Sequence, residues 1–208
     1  TKIVVNLCGH TIEEYCAVAE KLSEADVDLF ELNISCPNVS AGGITFGTDP
    51  KMAEQVVKEV KKFAKKPLIV KLTPNVTDIT EIARAAASGG ADGLSLINTL
   101  LGMRIDIKKR KPVLANKVGG FSGPAIKPVA VRMVYQVAKA VDLPIIGMGG
   151  ISTWEDAIEF IMAGATGVAV GTANFANPFA TVEVAEGIER FMEENNIMDL
   201  SEIRGTID

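Results

Sequence analysis

Apolar runs too short to be helices alternate with amphipathic stretches along the whole chain, and this alternation restricts the fold more than any other feature. Residues 3–5 open as a buried strand, and Thr11 with Glu14 forms a capping box for a helix carrying Ala17, Val18, Ala19 and Leu22. The second strand is residues 30–34. Asp49 and Pro50 read as N-cap and first residue of a helix reaching about residue 64, with Met52, Val56, Val57 and Val60 on its apolar stripe. Residues 68–70 form the third strand, and Ile79, Ile82, Ala83 and Ala86 line the next helix before Gly89-Gly90 stops it. A strand over 94–97 leads into a long connection, residues 98–124, with a hairpin arm expected at Ile105-Asp106-Ile107. A loop of that length within a compact domain is usually functional. The last helices begin near Ala125 or Ile126, after a cap by Ser152 and Glu155, and near Ala180, and strands over 144–146 and 167–170 separate them.

Six apolar strands, each followed by an amphipathic helix, predict a parallel sheet with both faces covered. The fold expected is an α/β (β/α)8 TIM barrel with about six of its eight units in this chain, since a closed barrel takes about 250 residues and the chain has 208. An open doubly wound sheet is the structural alternative. Residues 1–208 read as one domain.

Composition excludes several function classes. The net charge of -5 speaks against a nucleic-acid surface, which needs clustered lysine and arginine. Lysines at 58, 61, 62, 65 and 66 read as a solvated helix face and its exit, and 108–111 as a solvated turn or, alternatively, a phosphate or partner contact. No apolar run approaches the ~18 residues of a membrane span, and no signal peptide is visible. Three cysteines, Cys8, Cys16 and Cys36, lack disulfide or metal-ligand spacing and fit a reducing, cytoplasmic setting; no metal site is expected.

The candidate site starts from Glu31-Leu32-Asn33-Ile34-Ser35-Cys36-Pro37-Asn38 and its continuation through Gly42-Gly43 to Phe46-Gly47-Thr48-Asp49-Pro50. A strand here delivers a thiol and two carboxamides to a loop. On its own Cys36 also reads as a small buried hydrophobe. Asn33 and Asn38, poor strand residues that are costly to bury unpaired, favour a polar site around it. Asn6, Asn33, Cys36, Lys71, Asn98, Thr99, Gly149, Gly150, Gly171 and Thr172 all fall at or just beyond strand ends, where β/α barrels keep their chemistry. Gly147-Met148-Gly149-Gly150 and Gly171-Thr172 read as a paired phosphate site or as ordinary tight turns. Lys71 ends an apolar strand, where it either meets an anion or snorkels to solvent. His10, the single histidine, leaves no Ser-His-Asp arrangement unless it serves there itself, and a capping or loop role suits it better.

Asn-Ile-Ser-Cys-Pro-Asn with its glycine loop closely resembles the catalytic loop of dihydroorotate dehydrogenases, most of all the NAD-linked class 1B. The resemblance continues in order through Ile69-Val70-Lys71-Leu72-Thr73-Pro74, Ile97-Asn98-Thr99, Gly119 to Pro124, Gly147 to Ile151 and Val170-Gly171-Thr172. It implies oxidation of (S)-dihydroorotate to orotate in UMP synthesis, with Cys36 as the base and hydride passing to FMN. Asn6, Asn33, Lys71, Ile97, Gly123, Gly149, Gly150, Gly171 and Thr172 would hold FMN, with Lys71 stabilising the reduced ring; Asn33, Asn38, Asn98 and Thr99 would hold the substrate. It further implies a homodimer of catalytic subunits and a partner subunit carrying FAD and a 2Fe-2S cluster that passes electrons to NAD. Family members begin well before the position of Thr1 and close their sites with a lysine and a substrate loop from that region. The domain is therefore expected to be N-terminally incomplete, and the 208 residues alone need not bind FMN or be active. Within the family the alternative is the fumarate-dependent class 1A; beyond it stand a tRNA dihydrouridine synthase-like flavoenzyme and a scaffold that binds nothing.

Overall fold

The computed structural model describes residues 1–35 and 46–207. Its centre is one six-stranded sheet made of β1 (Val4–Leu7), β2 (Leu29–Asn33), β3 (Leu68–Lys71), β4 (Gly93–Leu96), β9 (Ile145–Met148) and β10 (Gly167–Ala169). Every pairing is parallel, and each strand lies beside its predecessor in this list. That sequential order is the arrangement of a β/α barrel, and it excludes the doubly wound alternative, in which the order reverses at a switch point. Among the described residues β1 and β10 are the two edges of the sheet.

The crossovers are α1 (Ile12–Leu22), α2 (Pro50–Lys61), α3 (Ile79–Ser88), α4 (Lys127–Ala140) and α5 (Trp154–Met162), with α6 (Ala173–Ala176) and α7 (Ala180–Glu194) following β10. Neighbouring helices pack on one another in chain order, α1 on α2, α2 on α3, α3 on α4 and α4 on α5, with α7 on α5. The helices therefore cover one face of the sheet. On β2, Phe30 and Leu32 point into that layer and are fully buried, whereas Glu31 and Asn33 point the other way and are half-buried. Leu68 and Val70 alternate with Ile69 and Lys71 in the same sense on β3. The expectation of two covered faces is thus corrected: the side away from the helices carries partly exposed polar groups, because the inner face of a barrel at its catalytic end lines a site.

The apolar side is the stability core. Leu7, Phe30, Leu32, Leu68, Val70, Leu94 and Ile145 meet Tyr15, Ala19, Val56, Val57, Val60, Ile82, Ala86, Val134 and Phe160 from the helices. Truncating one of the buried leucines to alanine would cost about 2–5 kcal/mol. Asp49 caps α2 through the Met52 amide with Pro50 following, as the sequence predicts. Two caps differ in detail. Thr11 accepts from the Glu14 amide, but the Glu14 carboxylate reaches one residue further back, to the His10 amide at 2.6 Å, so the reciprocal box is not closed. The cap of α5 is Thr153 with Asp156, displaced by one residue from the expected Ser152 and Glu155; the shorter aspartate still reaches back to the turn's amides.

The connection after β4 contains β5 (Leu100–Met103) paired antiparallel with β8 (Val118–Phe121), and between them a hairpin of β6 (Ile105–Asp106) and β7 (Lys111–Pro112). The expected hairpin arm is present. Its tip is the basic run: Asp106 accepts from the Lys108 and Lys109 amides, both at 3.0 Å, and all four basic residues are exposed, as a solvated turn requires. No helix among the described residues is long and apolar enough to cross a membrane.

Candidate active site

The inner face of the sheet builds the site from below. Glu31, halfway along β2, accepts from the Ser95 hydroxyl at 2.7 Å through Oε1 and from Asn6 Nδ2 at 2.5 Å through Oε2. The Lys71 ammonium lies 3.3 Å from the same Oε2, with side-chain exposures of 20% for the lysine and 12% for the glutamate. The register makes this contact possible: Asn6 pairs with Glu31 across β1 and β2, and Lys71 pairs with Ser95 across β3 and β4. A carboxylate this far from water needs partners, and three different strands supply them. Neither Glu31 nor Ser95 was singled out by sequence reasoning. The signal for Glu31 was its period-two relation to Asn33, which puts both on one face.

A second polar layer lies one step further along the strands. Asn33 Oδ1 accepts from Ser35 Oγ at 2.9 Å and from Asn98 Nδ2 at 3.3 Å, and Ser35 Oγ accepts from Asn98 Nδ2 at 2.6 Å. The Asn33 carbonyl is held by the buried Tyr15 hydroxyl at 2.7 Å. Asn98 in turn accepts from the Thr99 amide at 2.8 Å. Asn75, unremarked in the sequence, clasps the next turn by donating to the Thr99 carbonyl at 3.0 Å and accepting from the Leu101 amide at 2.9 Å. Asn33, Asn98 and Thr99 are thus brought together by a network whose members fix one another's orientation.

Above these layers a cavity of about 180 Å³ is lined by Lys71, Ile97, Asn98, Thr99, Gly123, Gly149, Gly150, Gly171 and Thr172, together with Ser122, Ile126, Met148 and Ile151. Asn6 stands off this lining, bound to Glu31. Cys36 and Asn38 lie outside the described residues. A roomier depression of about 400 Å³, beside Pro144 and Arg204, sits at the opposite ends of the strands, the side that barrels use for stability.

The glycines around the cavity divide by function. Gly149 (φ 127°) and Gly150 (φ 84°) occupy the region of positive φ, and a methyl at Gly150 would sit 2.9 Å from the Gly123 carbonyl oxygen. They give the backbone its turn and its close packing. Gly171 has ordinary backbone, and a methyl there would meet no atom within 4 Å. It would project into open space beside the cavity. An uncharged, side-chain-free cradle of this kind with a lysine at its floor fits an anionic, ring-bearing ligand, whose phosphate backbone amides could hold.

The amides that begin α5 take no part in that cradle. Asp156 Oδ2 accepts from Ser152 at 2.8 Å and from Thr153 at 3.0 Å, while its Oδ1 is 2.7 Å from Lys127 Nζ, which also meets Glu159 at 2.6 Å. Burial pushes the Asp156 carboxyl up; Lys127 and the two amides outweigh it and hold the group below the usual carboxylate range. The Asp156 and Glu159 carboxylates raise Lys127. The Ser152 and Thr153 amides are therefore already used and are not donors for an anion in the cavity.

A sequential parallel β/α sheet with its polar layers and glycine cradle at the C-terminal strand ends is the arrangement of a β/α-barrel enzyme. The family model for dihydroorotate dehydrogenase matches residues 1–192. Curated relatives include the catalytic subunits of dihydroorotate dehydrogenase B (NAD(+)) from Alkaliphilus metalliredigens, 73% identical, and from Alkaliphilus oremlandii, 70% identical. Each comparison covers all of this chain and 68% of the relative. The corresponding subunit from Lachnoclostridium phytofermentans is 66% identical over all of this chain and 69% of its own length. The chain belongs to the dihydroorotate dehydrogenase family of oxidoreductases.

Proposed function

We propose that this chain catalyses the oxidation of (S)-dihydroorotate to orotate in pyrimidine synthesis and passes the electrons on to NAD through a partner subunit. The observation that carries this reading is the convergence of Lys71, Asn98, Thr99 and the Gly149, Gly150 and Gly171 cradle on one cavity, in a chain of this family.

The cofactor is FMN, whose phosphate Gly149, Gly150, Gly171 and Thr172 at the turns after β9 and β10 would hold. When bound, FMN supplies the acceptor for the hydride that leaves substrate C6. Lys71 contributes a fixed positive charge at the floor of the cavity, a role in electrostatic stabilisation without proton transfer. Asn33, Asn98 and Thr99, joined by Asn38, offer the carboxamide and hydroxyl groups that a ring with both donors and acceptors requires. Cys36 removes the C5 proton, and the electron pair of that bond becomes part of the C5–C6 double bond. A free thiol ionises near pH ~8.5, so this role requires either a site that tunes the thiol toward the working pH or a reaction that tolerates a partly protonated base. FAD and a 2Fe-2S cluster belong to the partner subunit, the catalytic subunits pair as a homodimer, and the assembly works in the cytoplasm. The relatives' description as catalytic subunits supports a second subunit here.

The test is anaerobic absorbance spectroscopy of the purified full-length protein. A flavin spectrum that bleaches when dihydroorotate is added is expected. Flavin that stays oxidised would remove the substrate, and absence of flavin would remove the cofactor.

A further inference from the structure

Lys71 is not alone at the floor of the cavity. Glu31 approaches it from the next strand at 3.3 Å, and Glu31 is itself fixed by Ser95 at 2.7 Å and by Asn6 at 2.5 Å. Among the described residues the cavity lining includes Lys71 but not Glu31, which stands behind the lysine. Burying a carboxylate in the middle of a barrel strand is costly, and an apolar residue at position 31 would fill the layer without that cost. The pair also has an electrostatic consequence. A positive charge facing the cavity is partly cancelled by a negative charge directly behind it, at 3.3 Å and largely withdrawn from water, where screening between the two is reduced.

We propose that Glu31 is a positioning residue: it orients Lys71 toward the cavity and sets how strongly the Lys71 ammonium stabilises negative charge on a bound flavin. Ser95 holds one oxygen of Glu31, and Asn6 holds the oxygen that faces Lys71. The inference rests on the FMN reading above and extends it to a residue that does not touch the cofactor.

The test is a reductive titration of the flavin-loaded protein against a reference dye, comparing the parent with Glu31→Gln, Lys71→Met and the double variant. Glu31→Gln keeps the shape but removes the balancing charge, so the flavin midpoint potential should rise. A tenfold gain in the ratio of reduced to oxidised flavin at fixed potential is expected, ~30 mV for a two-electron couple. In the Lys71→Met background the same substitution should give a much smaller rise, because the group it acts through is gone. Equal rises in both backgrounds would overturn the positioning role, as would an unchanged or lower potential in Glu31→Gln. Should Glu31→Gln fail to fold, Ser95→Ala, which frees Glu31 without changing charge, is read in the same titration. A changed potential that depends on Lys71 supports the proposal, and an unchanged one overturns it. The parent spectrum separates the two levels of inference: no flavin in the parent means that the cofactor reading fails, whereas flavin with potentials indifferent to Glu31 means that only this proposal does.

Discussion

Asp156 and Lys127 face each other across the first turns of α5 and α4, Oδ1 to Nζ at 2.7 Å, while the other oxygen of Asp156 closes the start of its own helix. One carboxylate thus joins two helices and ends the glycine turn of β9. The aspartate is mostly screened from water, with a side-chain exposure of 16%.

Asp156→Asn should therefore lower the unfolding free energy by about 1–3 kcal/mol at neutral pH, through a weakened cap and a lysine that keeps Glu159 but loses its more buried carboxylate partner. The folded-state pKa of Asp156 is depressed, so its contribution is fully present above the unfolded value near ~3.9 and is lost as pH falls through the lower folded value. Urea unfolding of parent and variant across that window should show two curves that converge at acid pH.

Gly171→Ala and Gly150→Ala should behave differently although both glycines line the same cavity. The first adds a methyl with nothing within 4 Å, so stability should be unchanged while flavin affinity falls. The second meets the Gly123 carbonyl and a positive φ, so it should cost about 1–3 kcal/mol of stability as well as flavin. Thermal unfolding of the apoprotein followed by flavin titration separates the two cases.

Gly187 lies on α7 against Trp154, whose ring pairs with Phe191 at 5.7 Å. Glycine to alanine in a helix ordinarily gains about 1 kcal/mol. Here the added methyl would lie 2.3 Å from Trp154 Cγ, so Gly187→Ala should instead destabilise by about 1–3 kcal/mol. A rise in the chemical-denaturation midpoint would show that α7 can shift away from Trp154.

Cys16 is buried on α1, and burial, with the Glu59 and Glu13 charges adding to it, raises its thiol pKa. Cys8 is exposed at the end of β1. Brief alkylation of the native protein with iodoacetamide, followed by peptide mass mapping, should label Cys8 and spare Cys16 until denaturant is added.

Cys36→Ser should leave FMN bound and slow flavin reduction by dihydroorotate about a hundredfold or more at neutral pH, in the range for loss of a general base. Stopped-flow reduction rates equal to those of the parent would remove Cys36 from the chemistry.

The strand and helix order was readable because apolar periodicity is a local property, and Phe30, Leu32, Val56 and Val60 carry it without reference to anything distant. The glycine positions 149, 150 and 171 were readable for the same reason, since each follows a strand. What the chain order conceals is partnership across strands. Glu31 and Ser95 are 64 residues apart, and neither is unusual until the register of three strands is known. Asn75 is likewise unremarkable until the turn at 99–101 folds over it. The Asp156 cap was misplaced by one residue for a geometric reason, because Thr153 and Asp156 satisfy the same spacing as Ser152 and Glu155 and only the backbone dihedrals separate them.

The alternation on β2 ties assembly to activity in a way that no separate checkpoint would improve. Sliding β2 by one residue against β1 would bring Phe30 and Leu32 to the inner face and drive Glu31 and Asn33 beneath the helices. Such a slip would fail twice, stranding a carboxylate and a carboxamide in the apolar layer while filling the inner face with hydrocarbon. A correctly paired β2 is therefore also an armed one, and the chain has no stable way to be well folded with its polar layers facing the wrong side.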